Sequence, residues 1–217
     1  MTRSELASII DHTLLKPEAV PDDIKKLCEE AIRFGFYSVC VNPLWVPLAS
    51  EILRESGPIV CSVIGFPLGA TNCMGEEALK AVDLGAGELD MVIPIGHLKS
   101  GYIKKTAAYI QDVVRASSGN PVKVILETCL LTDEEKVLGC RIAMDSGASW
   151  VKTSTGFSSG GATVSDVALM RSTVGETLGV KASGGIRTLT DALAMVEAGA
   201  GRLGCSGSID IIESLDV

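Results

Sequence analysis

Asp145-Ser146-Gly147-Ala148-Ser149 runs directly into Trp150-Val151-Lys152-Thr153-Ser154-Thr155. The phrase (an acidic residue, a spacer, Gly-Ala, then a short apolar run) recurs along the chain. Asp83-Leu84-Gly85-Ala86-Gly87 leads into ELDMVIP and Glu197-Ala198-Gly199-Ala200-Gly201 into RLGCS, while RFGFYSVCVNP from Arg33 onward is a looser copy. Upstream of each copy the apolar residues follow helical spacing, as in EEALKAVDLG and DALAMVEAG, and glycine supplies the left-handed residue that ends a helix. Each copy therefore reads as helix, stop, strand.

Working outward from that phrase gives eight candidate strands: SIIDHT, SVCVN, VCSVIGF, ELDMVIP, VKVILET, WVKTST, GVKAS and RLGCS. They are short, rich in β-branched residues or cysteine, and bounded by Gly or Pro, as strands buried on both faces should be. Helical spacing fills PDDIKKLCEEAIRFG, GEEALKAVDLG, YIKKTAAYIQDVVRASSG, DEEKVLGCRIAMDSG, VSDVALMRSTVGETLG and TDALAMVEAG, and Thr132 with Glu135 forms a capping box ahead of the fourth of these. Eight strands alternating with helices predict an α/β chain folded as a (β/α)8 barrel, a single catalytic domain over residues 1–217. The alternative, an open doubly wound sheet, usually has fewer strands and often a GxGxxG or GxxxxGK fingerprint, and no usable copy of either is present.

Composition narrows the function. The net charge of −8 argues against a broad nucleic-acid surface, since phosphate backbones are held by clustered Lys and Arg. No apolar run approaches the roughly 20 residues needed to cross a bilayer, and MTRSELASIIDHTLLKP has no signal-peptide core, so a soluble cytoplasmic protein is expected. The seven cysteines form no CxxC pair and read as reduced, mostly buried thiols, Cys40 and Cys205 ending strands without a nucleophilic role. With only His12 and His97 in the chain, a metal-free, cofactor-free mechanism is expected. His12 reads as a hydrogen-bonded structural histidine and His97 as exposed.

In such a barrel, chemistry sits where strands run out at their carboxyl ends. Asp90 in ELDMV, Lys152 in WVKTS and Lys181 in GVKAS are the polar residues inside otherwise apolar strands. If Val151 and Val180 face the helices, alternation turns Lys152 and Lys181 inward. Burial and like-charge repulsion should then lower their pKa values and leave a neutral amine fit to attack a carbonyl. Asp90 can shuttle protons or simply pair with a lysine. Parity places Lys123 and Glu127 on the same face of strand five, in a supporting role. The loops Ser183-Gly184-Gly185 and Gly204-Cys205-Ser206-Gly207-Ser208 can bring backbone N–H groups to a phosphate, with Thr155-Gly156 closing the cup. An isomerase with Asp90 or Glu127 as base, or a binding barrel without chemistry, would fit parts of the same pattern. Residue pattern alone does not choose between Lys152 and Lys181 as nucleophile.

The segments IDHTLLKP, SVCVNP, VIGFPLGA, ELDMVIPIGHLKSG, KVILET, VKTSTGF, GGAT, VKASGGIRT and RLGCSGS, in this order over nearly the whole chain, resemble the deoxyribose-phosphate aldolases. That resemblance implies a class I aldolase that reversibly cleaves 2-deoxy-D-ribose 5-phosphate to D-glyceraldehyde 3-phosphate and acetaldehyde. It implies Lys152 as the imine-forming lysine, Lys181 as the lysine that tunes it and Asp90 as the proton relay. Gly184, Gly185, Ser206 and Gly207 would bind the phosphate, and Asp11, Thr13 and Cys40 would lie near the substrate. Cys205 departs from the family, whose members more often carry Ala or Thr there. The expected partners are a small sugar phosphate and an aldehyde, with no nucleic acid or membrane, and a homodimer or higher homo-oligomer is the expected assembly.

Overall fold

The computed structural model describes residues 1–215, so Asp216 and Val217, the end of the expected domain, lie outside the described residues. Eight parallel strands close into a barrel in sequence order: β1 (Ile10–Leu14), β2 (Ser38–Val41), β3 (Ile59–Ile64), β4 (Glu88–Val92), β5 (Val122–Ile125), β6 (Trp150–Lys152), β7 (Gly179–Ser183) and β8 (Arg202–Cys205). The ring is completed by parallel pairing of β8 with β1, where His12 registers with Cys205. All eight strands fall within the segments read from sequence or within a residue or two of them, except that β5 and β6 end three residues earlier than VKVILET and WVKTST.

The helices are α1 (Arg3–Ala7), α2 (Pro21–Phe34), α3 (Val46–Leu53), α4 (Met74–Asp83), α5 (Ile95–Lys99), α6 (Ile103–Ala116), α7 (Asp133–Asp145), α8 (Val164–Val174), α9 (Leu189–Glu197) and α10 (Ser208–Glu213). The capping box at Thr132 and Glu135 opens α7 as expected. Four short helices, α1, α3, α5 and α10, are additions to the reading from sequence. In α3 the signal is masked by Pro47, which sits in the first turn, where a proline removes no helical hydrogen bond.

The apolar core lies between strands and helices. Val151, Val180, Val39, Met91 and Leu203 are fully buried in one cluster with helix residues such as Ile24, Ala78, Ile110 and Met170. Alternation then turns the intervening strand residues into the barrel, whose interior is unusually polar. Its amino end is plugged by Arg202, whose guanidinium stacks 3.3 Å from the Tyr37 ring centroid and 5.1 Å from that of Trp150. Among the described residues no helix is long and apolar enough to cross a membrane.

Candidate active site

Lys152 and Lys181 are register partners across β6 and β7, and both point inward. Their ammonium groups meet on a single oxygen, Asp90 Oδ2, at 2.7 Å from Lys152 and 2.8 Å from Lys181. Asp90 Oδ1 takes Lys123 Nζ at 2.9 Å and the Cys61 thiol at 3.1 Å, so both carboxylate oxygens are filled. Lys123 is the register neighbour of Asp90 on β5, as strand parity had placed it.

A second tier lies beneath. Asp11 accepts from Lys181 through one oxygen and from Arg202 at 3.0 Å through the other. Glu88 approaches Lys123 at 2.7 Å and Arg202 at 3.6 Å, ion contacts angled off the line of a hydrogen bond. Four buried cations, Lys123, Lys152, Lys181 and Arg202, thus face three buried carboxylates, Asp11, Glu88 and Asp90. Taking these groups out of water is costly, and mutual attraction can offset that cost only because each has a close opposite partner.

The electrostatics depart from the sequence expectation at Lys181. Burial pushes its pKa down, but the carboxylates of Asp11 and Asp90 outweigh burial and the repulsion of Lys123, so the net shift is upward. Lys123 is raised in the same way, its burial overcome by Asp90 and the other anions around it. Like-charge repulsion between strand lysines therefore does not make Lys181 a neutral amine. For Asp90, burial disfavours the ionised form, yet the ammonium groups of Lys123, Lys152 and Lys181 hold it well below the usual carboxylate range. Asp11 is likewise lowered, against its own burial, by Lys181, Lys123 and Arg202.

A cavity of about 380 Å³ opens above this cluster at the carboxyl ends of β1, β6, β7 and β8. Of the four buried cations, Lys152 alone borders it; Lys181, Asp90 and Asp11 lie in the floor below. Thr13, Thr155, Gly156, Gly184, Gly185, Gly204 and Ser206 all line the cavity, whereas Gly207 and Cys40 do not. The Cys40 thiol is buried beside Cys61 and Asp90; its hydrogen bond with Cys61 lowers its pKa, and burial raises that of Cys61. These three donors lie close enough to surround a metal ion, but Asp90 already carries three ammonium groups, a charge environment that repels a cation.

The cup is shaped by backbone. Gly184 and Gly185 have φ of 84° and 79°, a conformation that favours glycine, and the Gly184 carbonyl accepts from Ala162 N–H at 2.9 Å, tying the loop after β6 to the loop after β7. A Cβ at Gly204 would sit 3.1 Å from Lys181 Cε and 2.9 Å from Ser183 Cβ, so this glycine makes room for the lysine. Below the cup, Ser183 Oγ donates to the Ser154 carbonyl at 2.6 Å and Thr153 Oγ1 to the Ser183 carbonyl at 3.1 Å, locking the two strand ends together.

Two side chains differ from expectation, and two more join the site without having been singled out. Glu127 does not join the lysines: it lies beyond the end of β5, where its positive φ of 59° breaks the strand parity, and both its oxygens are engaged by Thr155. His97 is not exposed but half-buried, its ring 5.8 Å from Tyr102 and 5.6 Å from Tyr109. Lys16 and Arg187, passed over in IDHTLLKP and GGIRT, both line the cavity. Their signal was a cation within one or two residues of each strand-end motif. His12 is a hydrogen-bonded structural histidine, as read.

The closed barrel thus gathers an amine at the end of β6, a carboxylate bridge beneath it and a glycine cup with basic lips around one cavity. The chain belongs to the DeoC/LacD aldolases: the model described as "DeoC/LacD family aldolase" matches residues 6–209. It is 55% identical to the deoxyribose-phosphate aldolase of Carboxydothermus hydrogenoformans, over 99% of this chain and 97% of that protein. It is 57% identical to that of Streptococcus gordonii, over 96% of both chains. The solved deoxyribose phosphate aldolase of Aeropyrum pernix, described as tetrameric, superposes with a TM-score of 0.93 at 36% identity, covering 99% of this chain and 92% of that one.

Proposed function

We propose that this chain is a Schiff-base aldolase that reversibly cleaves 2-deoxy-D-ribose 5-phosphate to D-glyceraldehyde 3-phosphate and acetaldehyde, with residues 1–217 acting as one catalytic domain. The observation that carries this reading is the isolation of Lys152: of four buried cations it alone borders the cavity, with Asp90 as its one carboxylate partner among the described residues. With four cations against three carboxylates, a proton removed from one amine leaves the cluster balanced, and Lys152 is the amine a substrate can reach.

In the open-chain sugar the neutral Lys152 amine adds to the C1 aldehyde, and the adduct takes up one proton and loses water to give the protonated imine. The imine withdraws electrons as the C2–C3 bond breaks: the C3 hydroxyl gives up its proton, C3 becomes the aldehyde of glyceraldehyde 3-phosphate, and C1–C2 remains as an enamine. Protonation at C2 and hydrolysis then release acetaldehyde and restore the amine. Asp90 bridges Lys152 and Lys181 through one oxygen, which supports its role as the proton relay and that of Lys181 as the cation that steadies it. Thr155, Gly156, Gly184, Gly185, Gly204 and Ser206, with Lys16 and Arg187 at the lip, would hold the phosphate, and Thr13 would meet the sugar. Asp11 acts from below through Lys181, and Cys40 from the wall beside Asp90.

The same reading takes the protein to work in the cytoplasm as a homo-oligomer, supported by the tetrameric Aeropyrum pernix relative and checked by light scattering. The deciding experiment is borohydride reduction in the presence of acetaldehyde. The expected result is inactivation with a two-carbon adduct on the peptide containing Lys152. An active enzyme without an adduct would overturn the mechanism.

A further inference from the structure

His12 faces away from the catalytic cluster. Its strand neighbours Asp11 and Thr13 point into the barrel, so alternation sends the imidazole outward, between α2 and the start of α10. There it is 3% exposed and hydrogen-bonded at both nitrogens: Nε2 lies 2.9 Å from Glu30 Oε2 on α2, and Nδ1 lies 3.1 Å from Ser208 Oγ. The Phe36 ring packs against it with centroids 5.0 Å apart. An ionised carboxylate can only accept, so Nε2 carries the hydrogen; in a neutral ring Nδ1 then accepts from the Ser208 hydroxyl. Burial lowers the imidazole pKa against the pull of Glu30, in keeping with the neutral ring.

The consequence falls on the last loop of the cup. Only Ser206 and Gly207 separate the end of β8 from Ser208. One end of this two-residue loop, Cys205, is the register partner of His12 across the β1–β8 seam. The other end, Ser208, is placed by its hydroxyl, whose one hydrogen can point to His12 Nδ1 at 3.1 Å or to the Cys205 carbonyl at 3.0 Å. Both ends of the loop are therefore fixed to one residue, and Ser206, which lines the lysine cavity, has its position set by them.

We propose that Glu30, His12 and Ser208 form a positioning relay that holds the Ser206–Gly207 loop in place for the substrate phosphate, His12 being a positioning residue and not a catalytic one. This rests on the phosphate-sugar reading of the cavity. It predicts a penalty that falls on the phosphate and spares the carbonyl chemistry, which is carried by residues on the opposite face of β1 and on β4, β6 and β7.

The test compares Ser208→Ala, His12→Phe and Glu30→Gln. His12→Phe keeps an aromatic ring against Phe36, and Glu30→Gln keeps an acceptor for Nε2. Ser208→Ala and His12→Phe should raise KM for 2-deoxy-D-ribose 5-phosphate about tenfold, leave kcat/KM for unphosphorylated 2-deoxy-D-ribose within about twofold, and weaken inorganic phosphate binding measured by calorimetry about tenfold. Glu30→Gln should stay near wild type. Equal losses on both sugars, or unchanged phosphate affinity in folded Ser208→Ala, would overturn the relay; if His12→Phe does not fold, Ser208→Ala decides. A parent protein that binds phosphate but cleaves neither sugar would refute the aldolase reading instead, and calorimetry on the variants would still decide the relay.

Discussion

Lys152 and Lys181 stand side by side on neighbouring strands and place their ammonium groups on the same oxygen of Asp90. Their surroundings separate them. Lys181 has a second carboxylate, Asp11, and no contact with the cavity, whereas Lys152 has Asp90 alone and lines the opening. Identical strand contexts thus hold two different chemical groups, an anchored cation and an accessible amine.

Replacing them should have different effects. Lys152→Ala is expected to abolish cleavage and imine trapping while leaving the fold intact, because Asp90 keeps Lys123 and Lys181. Lys181→Leu removes a cation from between two buried carboxylates, a change that typically costs about 3–5 kcal/mol of stability. In whatever fraction folds, the whole pull of Asp90 Oδ2 falls on Lys152, so activity should be lost or its pH optimum should move upward. Urea melts and pH–rate profiles of the two variants distinguish these outcomes, and wild-type activity in either would contradict the assignment.

Gly204→Ala tests how tightly Lys181 is placed. The new methyl group would press on Lys181 Cε and Ser183 Cβ, both within 3.1 Å, and Lys181 can give way only by leaving its carboxylate partners. A destabilisation of about 1–3 kcal/mol is expected from overpacking of this kind, with a fall in kcat larger than any change in KM. Thermal denaturation and steady-state kinetics check both.

Stability should follow pH with a defined sign. Asp90 and Asp11 are depressed in the folded state, so their contribution is complete about a unit above the unfolded carboxylate value of about 3.9 and is lost progressively as pH falls below about 5. Lys123 and Lys181 are raised, so their contribution is complete below the unfolded lysine value of about 10.4 and declines only as pH climbs above it. As far as this cluster is concerned, the unfolding free energy from urea titration should be flat between roughly pH 5 and 10 and fall on both sides. A decline beginning near neutrality in the wild type but absent from Asp11→Asn would contradict the assignment.

Arg187→Ala should raise KM for the phosphorylated sugar about tenfold and leave kcat within about twofold, as removal of a charged hydrogen-bond donor to a phosphate would. The guanidinium is exposed at the lip, so added salt should narrow the difference between variant and parent. A loss concentrated in kcat would place Arg187 in the chemistry.

The barrel was legible because its strands carry local signals: helix-stopping glycines before them and inward polar residues at a period of two. Helix α3 carries Pro47 in its first turn, which masks its helical signal although that position tolerates a proline. Within the site, Asp90, Lys152 and Lys181 stood out as charges in apolar strands. What sequence could not supply was who neutralises whom. Asp11 and Lys181 lie far apart in the chain, and their pairing exists only once β8 is seated between β1 and β7. The expectation of a depressed Lys181 failed for that reason: it counted the neighbouring lysine and could not count the carboxylate from the other end. Glu127 was misplaced because strand parity ends with the strand, and a left-handed residue follows it.

Asp11 comes from the first strand, and its partners Lys181 and Arg202 come from the last two. Until the chain has been made almost to its end, no carboxylate from β1 can reach them. The pairing of Asp11 with Lys181 and Arg202 therefore requires the closed ring, and on the proposed mechanism aldehyde trapping should report ring closure. A nascent chain stopped before β8 would present unbalanced lysines on an open sheet, and a protein split between β4 and β5 should recover imine formation only when both halves have annealed at both seams.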